Sequence, residues 1–374
     1  MKFVVTSTEL YNRLQSIGRV INSKSALPIL DCFLFNLEDK SLKVTASDNE
    51  TTLEAAVEII SQDGTGQFAI ASKSIMEALR ELPEQPITFT YSEATSSVVI
   101  EYMNGQFSLN GQSADEYPAA AVLGESVVSL TMSATQLLDG INRTVFATAD
   151  DELRPVMNGI YFDITPDGIT FVASDGHKLV RDRLFAVKGN EKAAFIMQKK
   201  PATVLKGLLA KEADDVAISF DSRNVVFTTP THTMVCRLID GRYPNYNSVI
   251  PQNNPYKVTI NRQSLLSALK RVSVCSSASS SLIKLRLQNN RLDIYAQDID
   301  FSASAEEHIV CDYAGEPMSI GFKSTFLIDI LNNISGEDVV IAVSDPSRAG
   351  VLTPATQDED SDLLMLLMPM MLND

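Results

Sequence analysis

Asp175-Gly176-His177-Lys178 is the stretch whose residue types could do chemistry. On a strand, a carboxylate and an imidazole at i and i+2 share a face, and such a pair can serve as a general base or hold a metal. Either use needs more parts than this chain offers. His232 and His308 stand without acidic clusters at ligand spacing, and no GxSxG, phosphate-binding loop or HExxH motif occurs. A hydrolase using Asp175 and His177 stays an alternative. The main reading makes His177 part of a binding wall, with no catalytic residue, metal or cofactor.

The elements around this stretch recur. Val172-Ala173-Ser174-Asp175 has relatives in Val44-Thr45-Ala46-Ser47-Asp48 and Ile294-Tyr295-Ala296-Gln297-Asp298, and only the middle copy carries Gly-His-Lys after its Asp. Each copy opens with an amphipathic helix. Leu10, Leu14 and Ile17 make the first stripe, with Thr8 as its N-cap. Leu138 and Ile141 belong to the second, and Leu266 and Leu269 to the third. Arg19, Arg143 and Arg271 fall at one position of these helices, turned away from the apolar side.

Two hairpin strands follow in every copy: 33–37 with 42–46, 160–164 with 169–173, and 283–287 with 292–296. A second helix then begins at Lys73, Lys200 or Lys323. Its stripes are Leu79 and Leu82, Leu205 and Leu208, and Ile328 and Leu331. Tyr117-Pro118 and Tyr243-Pro244 close the first two copies, which sets boundaries near 125 and 251 and domains of 1–125, 126–251 and 252–374. A period of about 125 residues is too long for a solenoid and implies three α+β domains, each a sheet with two helices on one face.

Charge is segregated along this pattern. The formal net charge is −16, yet the six expected helices (8–20, 73–82, 133–145, 199–209, 261–273 and 323–333) hold twelve Lys and Arg against five Asp and Glu. A basic helical surface inside an acidic protein suits phosphate contacts that ignore sequence. Aromatic residues are not interleaved with these cations, so a duplex touched through its backbone fits better than stacked single strands. The four cysteines are dispersed without CxxC spacing, as expected for small core residues in a reducing compartment. Met1-Lys2-Phe3-Val4-Val5 has no secretory h-region, and the apolar run 363–372 contains Pro369 and is too short for a span. A cytoplasmic protein without membrane partners is expected.

Three tandem copies, cationic helices, Ser174-Asp175-Gly176-His177-Lys178-Leu179, Asp240-Gly241-Arg242-Tyr243-Pro244-Asn245-Tyr246 and Met368-Pro369-Met370-Met371-Leu372 together resemble the bacterial sliding clamps, the beta subunits of DNA polymerase III. Leu27-Pro28-Ile29-Leu30, and Arg154 with Asn158-Gly159, extend the likeness over essentially the whole chain. The resemblance implies clamp-type domains, two helices packed on antiparallel sheets in each. It also implies a head-to-tail homodimer that closes as a ring around duplex DNA and is a processivity factor. A repeat-built scaffold or binding protein unrelated to DNA is the competing reading.

On that resemblance, Lys24, Lys73, Arg143, Lys199, Lys200, Lys270 and Arg271 would meet DNA phosphates. Phe107 and Leu109 would meet Val274 and Cys275 across the dimer interface. A pocket for peptides of the replicative polymerase, clamp loader and repair proteins would be walled by Arg154, Met157, Ser174, Gly176, His177, Lys178, Leu179, Pro244, Val249, Leu366, Met368, Pro369, Met370, Met371 and Leu372. Methionines and aliphatics make such a cavity adaptable to many partners. This chain departs from the family at Pro155-Val156, where paired tyrosines are frequent, and at Ser248 and Met371, where a basic residue is common. Asn373 and Asp374 extend past the usual terminal Leu.

Overall fold

The computed structural model describes residues 1–22, 25 and 27–372, so Lys24, Asn373 and Asp374 lie outside the described residues. The first repeat runs β1 (Lys2–Thr6), α1 (Ser7–Ile17), β2 (Cys32–Glu38), β3 (Ser41–Ser47), β4 (Thr51–Val57), β5 (Ser61–Asp63), β6 (Gly66–Ala71), α2 (Ser72–Arg80), β7 (Pro86–Ser92), β8 (Ser97–Tyr102) and β9 (Gly105–Gln112). The order returns, without a counterpart of β5, as β10 (Val128–Ser133), α3 (Ala134–Thr144), β11 (Gly159–Thr165), β12 (Gly168–Ser174), β13 (Lys178–Leu184), β14 (Ala193–Gln198), α4 (Lys199–Leu209), β15 (Asp215–Phe220), β16 (Asn224–Thr228) and β17 (His232–Arg237). The third pass is β18 (Tyr256–Asn261), α5 (Arg262–Val272), β19 (Leu282–Gln288), β20 (Arg291–Asp298), β21 (Ala303–Val310), β22 (Met318–Lys323), α6 (Ser324–Asn333), β23 (Asp338–Val343), β24 (Gly350–Pro354) and β25 (Ser361–Leu367).

The helices form where the apolar period places them, with adjustments of register. In α1 the buried residues are Ser7, Leu10, Leu14 and Ile17. Its N-cap is Thr6 rather than Thr8, and no side chain caps it. Instead the Ser7 N–H donates to the Gln85 carbonyl at 2.9 Å, so the adjoining strand segment satisfies one of the four orphan donors of that helix end. Leu137 is fully buried where the sequence favoured Leu138, and the stripe of α2 is Ile75 and Leu79, since the helix stops at Arg80 before reaching Leu82. In α6 the buried positions are Leu327, Ile330 and Leu331 rather than Ile328 and Leu331. Arg19 stands in a 3-10 turn, Gly18–Val20, beyond the end of α1.

Two compact units divide the chain. The first comprises 1–138 and 200–238. It carries a thirteen-stranded sheet in the order β10-β15-β16-β17-β4-β3-β2-β6-β9-β8-β7-β1-β5, with α1 packed on α2, β3 and β4. The second comprises 139–199 and 239–374. Its sheets run β14-β11-β12-β13-β25-β24-β23-β18 and β21-β20-β19-β22, with α5 packed on α6, β20 and β21. The central repeat therefore contributes strands to both units, because β17 pairs with β4 of the first repeat while β13 pairs with β25 of the third. All seven residues of β12 are buried, so both of its faces are covered.

Candidate functional site

Asp175 and His177 do not share a strand face. They occupy the turn between β12 and β13, with Gly176 at φ +91°, a left-handed conformation that glycine adopts without strain. Asp175 Oδ1 accepts the backbone N–H groups of His177 and Lys178 at 2.8 and 2.9 Å, and Oδ2 accepts the Lys178 ammonium at 2.6 Å. Burial pushes this carboxyl up, but the lysine and the two amides outweigh it and hold the group below its ordinary value. The carboxylate is thus spent on the turn and on Lys178. The His177 ring lies instead 5.8 Å from the Phe326 ring. The same turn chemistry recurs: Asp48 Oδ1 accepts from Glu50 and Thr51, and Asp298 Oδ1 from Phe301. The repeated aspartate is a turn residue first.

Beside this turn the outward sides of β12, β13 and β25 carry an apolar cluster. Leu179 and Leu366 are cross-strand partners, and they cluster with Val172, Tyr243, Tyr246 and Ile250. Tyr243 stacks on Tyr161 at 4.7 Å and 5°. The connector between the second and third repeats therefore packs on the sheet, which is why β12 lacks a solvent face. Pro244 stays exposed, as do Val249 at 56% and Met368 at 43%, while Met157 and Ser174 are buried. The tail reaches the turn through the Met368 N–H, which donates to the His177 carbonyl at 2.8 Å.

Arg154 joins the same neighbourhood. Its Nε donates to Asp151 at 2.8 Å, and a Cβ added to Gly176 would meet its Nη1 at 3.0 Å. Pro155 starts a 3-10 turn, and Val156 packs on the apolar cluster.

Three of the nominated wall residues behave otherwise. Lys178 is buried, its ammonium paired with Asp175 and 4.2 Å from the Phe326 ring centre, so it supports the wall from behind. Met370 extends the other way, its N–H donating to the Gly321 carbonyl at 2.8 Å. Leu372 then lines a separate cavity of about 480 Å³ with Leu282 and Tyr295. Pro369 is half-buried between these directions and Met371 is 80% exposed. Sequence reading missed Tyr161, Tyr246 and Phe326. The apolar residues on both faces of β12, Ile169, Phe171, Val172 and Ala173, were the available signal for the covering tyrosines.

Lys73, Lys199 and Lys270 are exposed on their helices. Lys200 is bonded to Asp48 Oδ2, Arg271 forks onto both oxygens of Glu307, with Nε at 2.9 Å, and Arg143 Nη1 lies 3.3 Å from Asp182. Burial lifts the Asp182 carboxyl to about 6 despite the opposing pull of Arg143. Arg19 packs against α4, where a Cβ on Gly207 would overlap its guanidinium at 1.8 Å.

Two sheet edges complete the set. β9 pairs along its length with β8 but touches β6 only at Gly111 and Gln112, leaving Gly105–Asn110 without a second partner among the described residues. Phe107 and Leu109 are half-buried on that strand. β21 pairs only with β20 among the described residues and has no buried position. Val274, 82% exposed, and half-buried Cys275 sit in the 3-10 turn Ser273–Cys275, which packs against β21.

No helix of the described residues is long and apolar enough to cross a membrane. Three family models match consecutive stretches: DNA polymerase III beta subunit, N-terminal domain over residues 1–121, central domain over 131–245 and C-terminal domain over 247–371. The chain is 28% identical over 362 residues to the beta sliding clamp of Synechococcus elongatus, covering 95% of this chain and 96% of that one. It is 27% identical to that of Haemophilus influenzae over 373 residues, 100% of each. The crystal structure of a Pseudomonas aeruginosa DnaN sliding clamp bound to griselimycin superposes with a TM-score of 0.94 at 26% identity, covering all of both chains. With all three domain models matched in order along its length, the chain belongs to the DNA polymerase III beta subunit family.

Proposed function

We propose that two copies of this chain, each of three domains (1–125, 126–251 and 252–374), join head to tail into a ring around duplex DNA. There the chain is the sliding clamp of DNA polymerase III, a processivity factor of replication. The observation that carries the dimer is a pairing rule. The third long strand of one repeat takes the last strand of the next: β4 takes β17, and β13 takes β25. Continued once more, β21 must take a β9, and each of these strands keeps an open edge. A head-to-tail contact that closes after two subunits pairs both of these edges in each chain. Phe107, Leu109, Val274 and Cys275 then fall at that contact.

The cationic helices supply sequence-independent phosphate contacts, while the closed ring supplies retention. The apolar cluster of Leu179, Leu366, Tyr243 and Tyr246, edged by Arg154, Gly176, His177, Pro244, Val249 and Met368, suits short apolar peptides. Its occupants in this reading are the replicative polymerase, the clamp loader and repair proteins. The chain performs no reaction of its own and works in the cytoplasm. The test is native mass spectrometry together with retention on nicked circular DNA after loading. A mass of two chains, with loss from the DNA on linearisation, is expected. A monomer never retained on circles overturns the reading.

A further inference from the structure

Phosphate-binding surfaces usually present lysines and arginines as bare cations. Here the guanidiniums of Arg143 and Arg271, which stand at one repeated helical position, are each met by a carboxylate from the third long strand of their own repeat. Asp182 comes from β13 and Glu307 from β21. Neither acid is a helical neighbour acquired by i to i+4 spacing, so the pairs are made by the fold rather than by local sequence. Their settings differ. The Asp182 side chain is fully buried against an Arg143 side chain that is 19% exposed, whereas Arg271 is 61% exposed on a Glu307 that is 28% exposed.

A cation that neutralises a phosphate releases counterions, and binding then weakens with salt by about 0.9 in the logarithmic slope for each contact. A guanidinium already held by a carboxylate releases fewer, and it brings a negative charge close to the phosphate. Building on the clamp reading, we propose that Asp182 and Glu307 are grip-attenuating residues. They hold Arg143 and Arg271 toward the duplex in half-neutralised form, so that the ring tracks the DNA backbone without being fixed to any phosphate. Retention comes from topology, which frees instantaneous affinity to be low. The ligand is the phosphodiester backbone of duplex DNA, and the two acids act only through their arginines.

The experiment uses the full-length protein and a linear fluorescent duplex, with binding measured across a salt series for wild type, Glu307→Gln, Asp182→Asn and the double variant. Native mass confirms that each is assembled as wild type is. Each single change is expected to steepen the slope of log affinity against log salt by up to about 0.9, and the double change by up to about 1.8. Affinity at low salt rises roughly tenfold, and adding Arg271→Ala to Glu307→Gln brings the slope back to the wild-type value or below it. A purely structural role for the pairs would leave the slope where it was. Duplex binding by wild type with unchanged slopes in the variants overturns the attenuation alone. Wild type that neither binds duplex nor stays on circles overturns the clamp reading with it. Should Asp182→Asn fail to fold, Glu307→Gln at its exposed pair decides.

Discussion

Lys200, at the start of α4 in the second repeat, is bonded to Asp48, the turn aspartate of the first. Both are the repeated markers of the sequence. Their pairing shows that a marker of one repeat can serve the joint with the next. The same pairing one repeat on would join Lys323 to Asp175. Lys178 occupies that carboxylate instead, and Lys323 lies 4.7 Å from the ring centre of Phe326.

The third joint, between two copies in the proposed ring, has Asp298, 8% exposed, and an exposed Lys73 in the corresponding roles. Lys73→Glu is therefore expected to weaken dimerisation by about 1–2 kcal/mol, roughly tenfold in dissociation constant, because an attraction becomes a repulsion. Sedimentation at decreasing protein concentration reads this directly. An unchanged dimer would return Lys73 to the DNA-contacting set.

Asp182 predicts a pH dependence. Its folded-state value of about 6 lies above the ordinary 3.8, so between these values the folded chain binds more protons than the unfolded chain. This group's contribution to stability is thus most favourable below about pH 4 and declines as pH rises through 6. The cost at neutral pH is about 3 kcal/mol. In urea unfolding, wild type should gain on Asp182→Asn as pH falls from 7.5 to 5. A difference between the two proteins that does not vary with pH would refute the assignment.

Asp175 and Lys178 form the pair on which the central turn depends. Removing the carboxylate in Asp175→Ala strips two backbone donors of their acceptor and leaves a buried ammonium alone. Losses of about 3–5 kcal/mol are typical when one partner of a buried pair is deleted. His177→Ala, at an exposed ring, should change stability by about 0.5 kcal/mol or less. Thermal unfolding of the two variants side by side checks the contrast, and equal losses would be incompatible with this account of the turn.

At the apolar cluster, Val249 is 56% exposed and close in sequence to buried Tyr246 and Ile250. Val249→Asp should leave folding within about 0.5 kcal/mol of wild type. Placing a charge in the rim should nevertheless weaken binding of a fluorescent short peptide ending in Leu and Phe, the apolar kind proposed for this site, by at least about tenfold. Undiminished peptide binding would remove Val249 from the site.

Much of this was legible in residue types alone. The hairpin strands were expected at 33–37, 160–164 and 283–287 and occupy Cys32–Glu38, Gly159–Thr165 and Leu282–Gln288, because alternation marks a strand's middle better than its ends. The repeated Asp, Lys and Arg announced themselves by spacing. What spacing could not reveal was their use. Asp182 reads as a polar residue on an alternating strand, and only the fold, by bringing the end of α3 to β13, makes it the buried partner of Arg143. The stack of Tyr161 on Tyr243 depends on a connector folding back over a strand some eighty positions earlier, a relation that no local period encodes. The joining of β17 to β4 is likewise a choice of sheet edge, made by register and by complementary side chains at distances far beyond a sequence window.

That each repeat lends its final strand to its predecessor also governs how the chain comes apart. A fragment cut near residue 125 would keep its α1 and α2 but leave β4 bare along Thr51–Ala55, the very hydrogen-bonding groups that β17 covers. Such a piece carries adhesive flanks and is prone to aggregate. Because the central repeat shares its sheets between the compact units 1–138 with 200–238 and 139–199 with 239–374, heat or force is expected to melt it in two halves, each with a different companion.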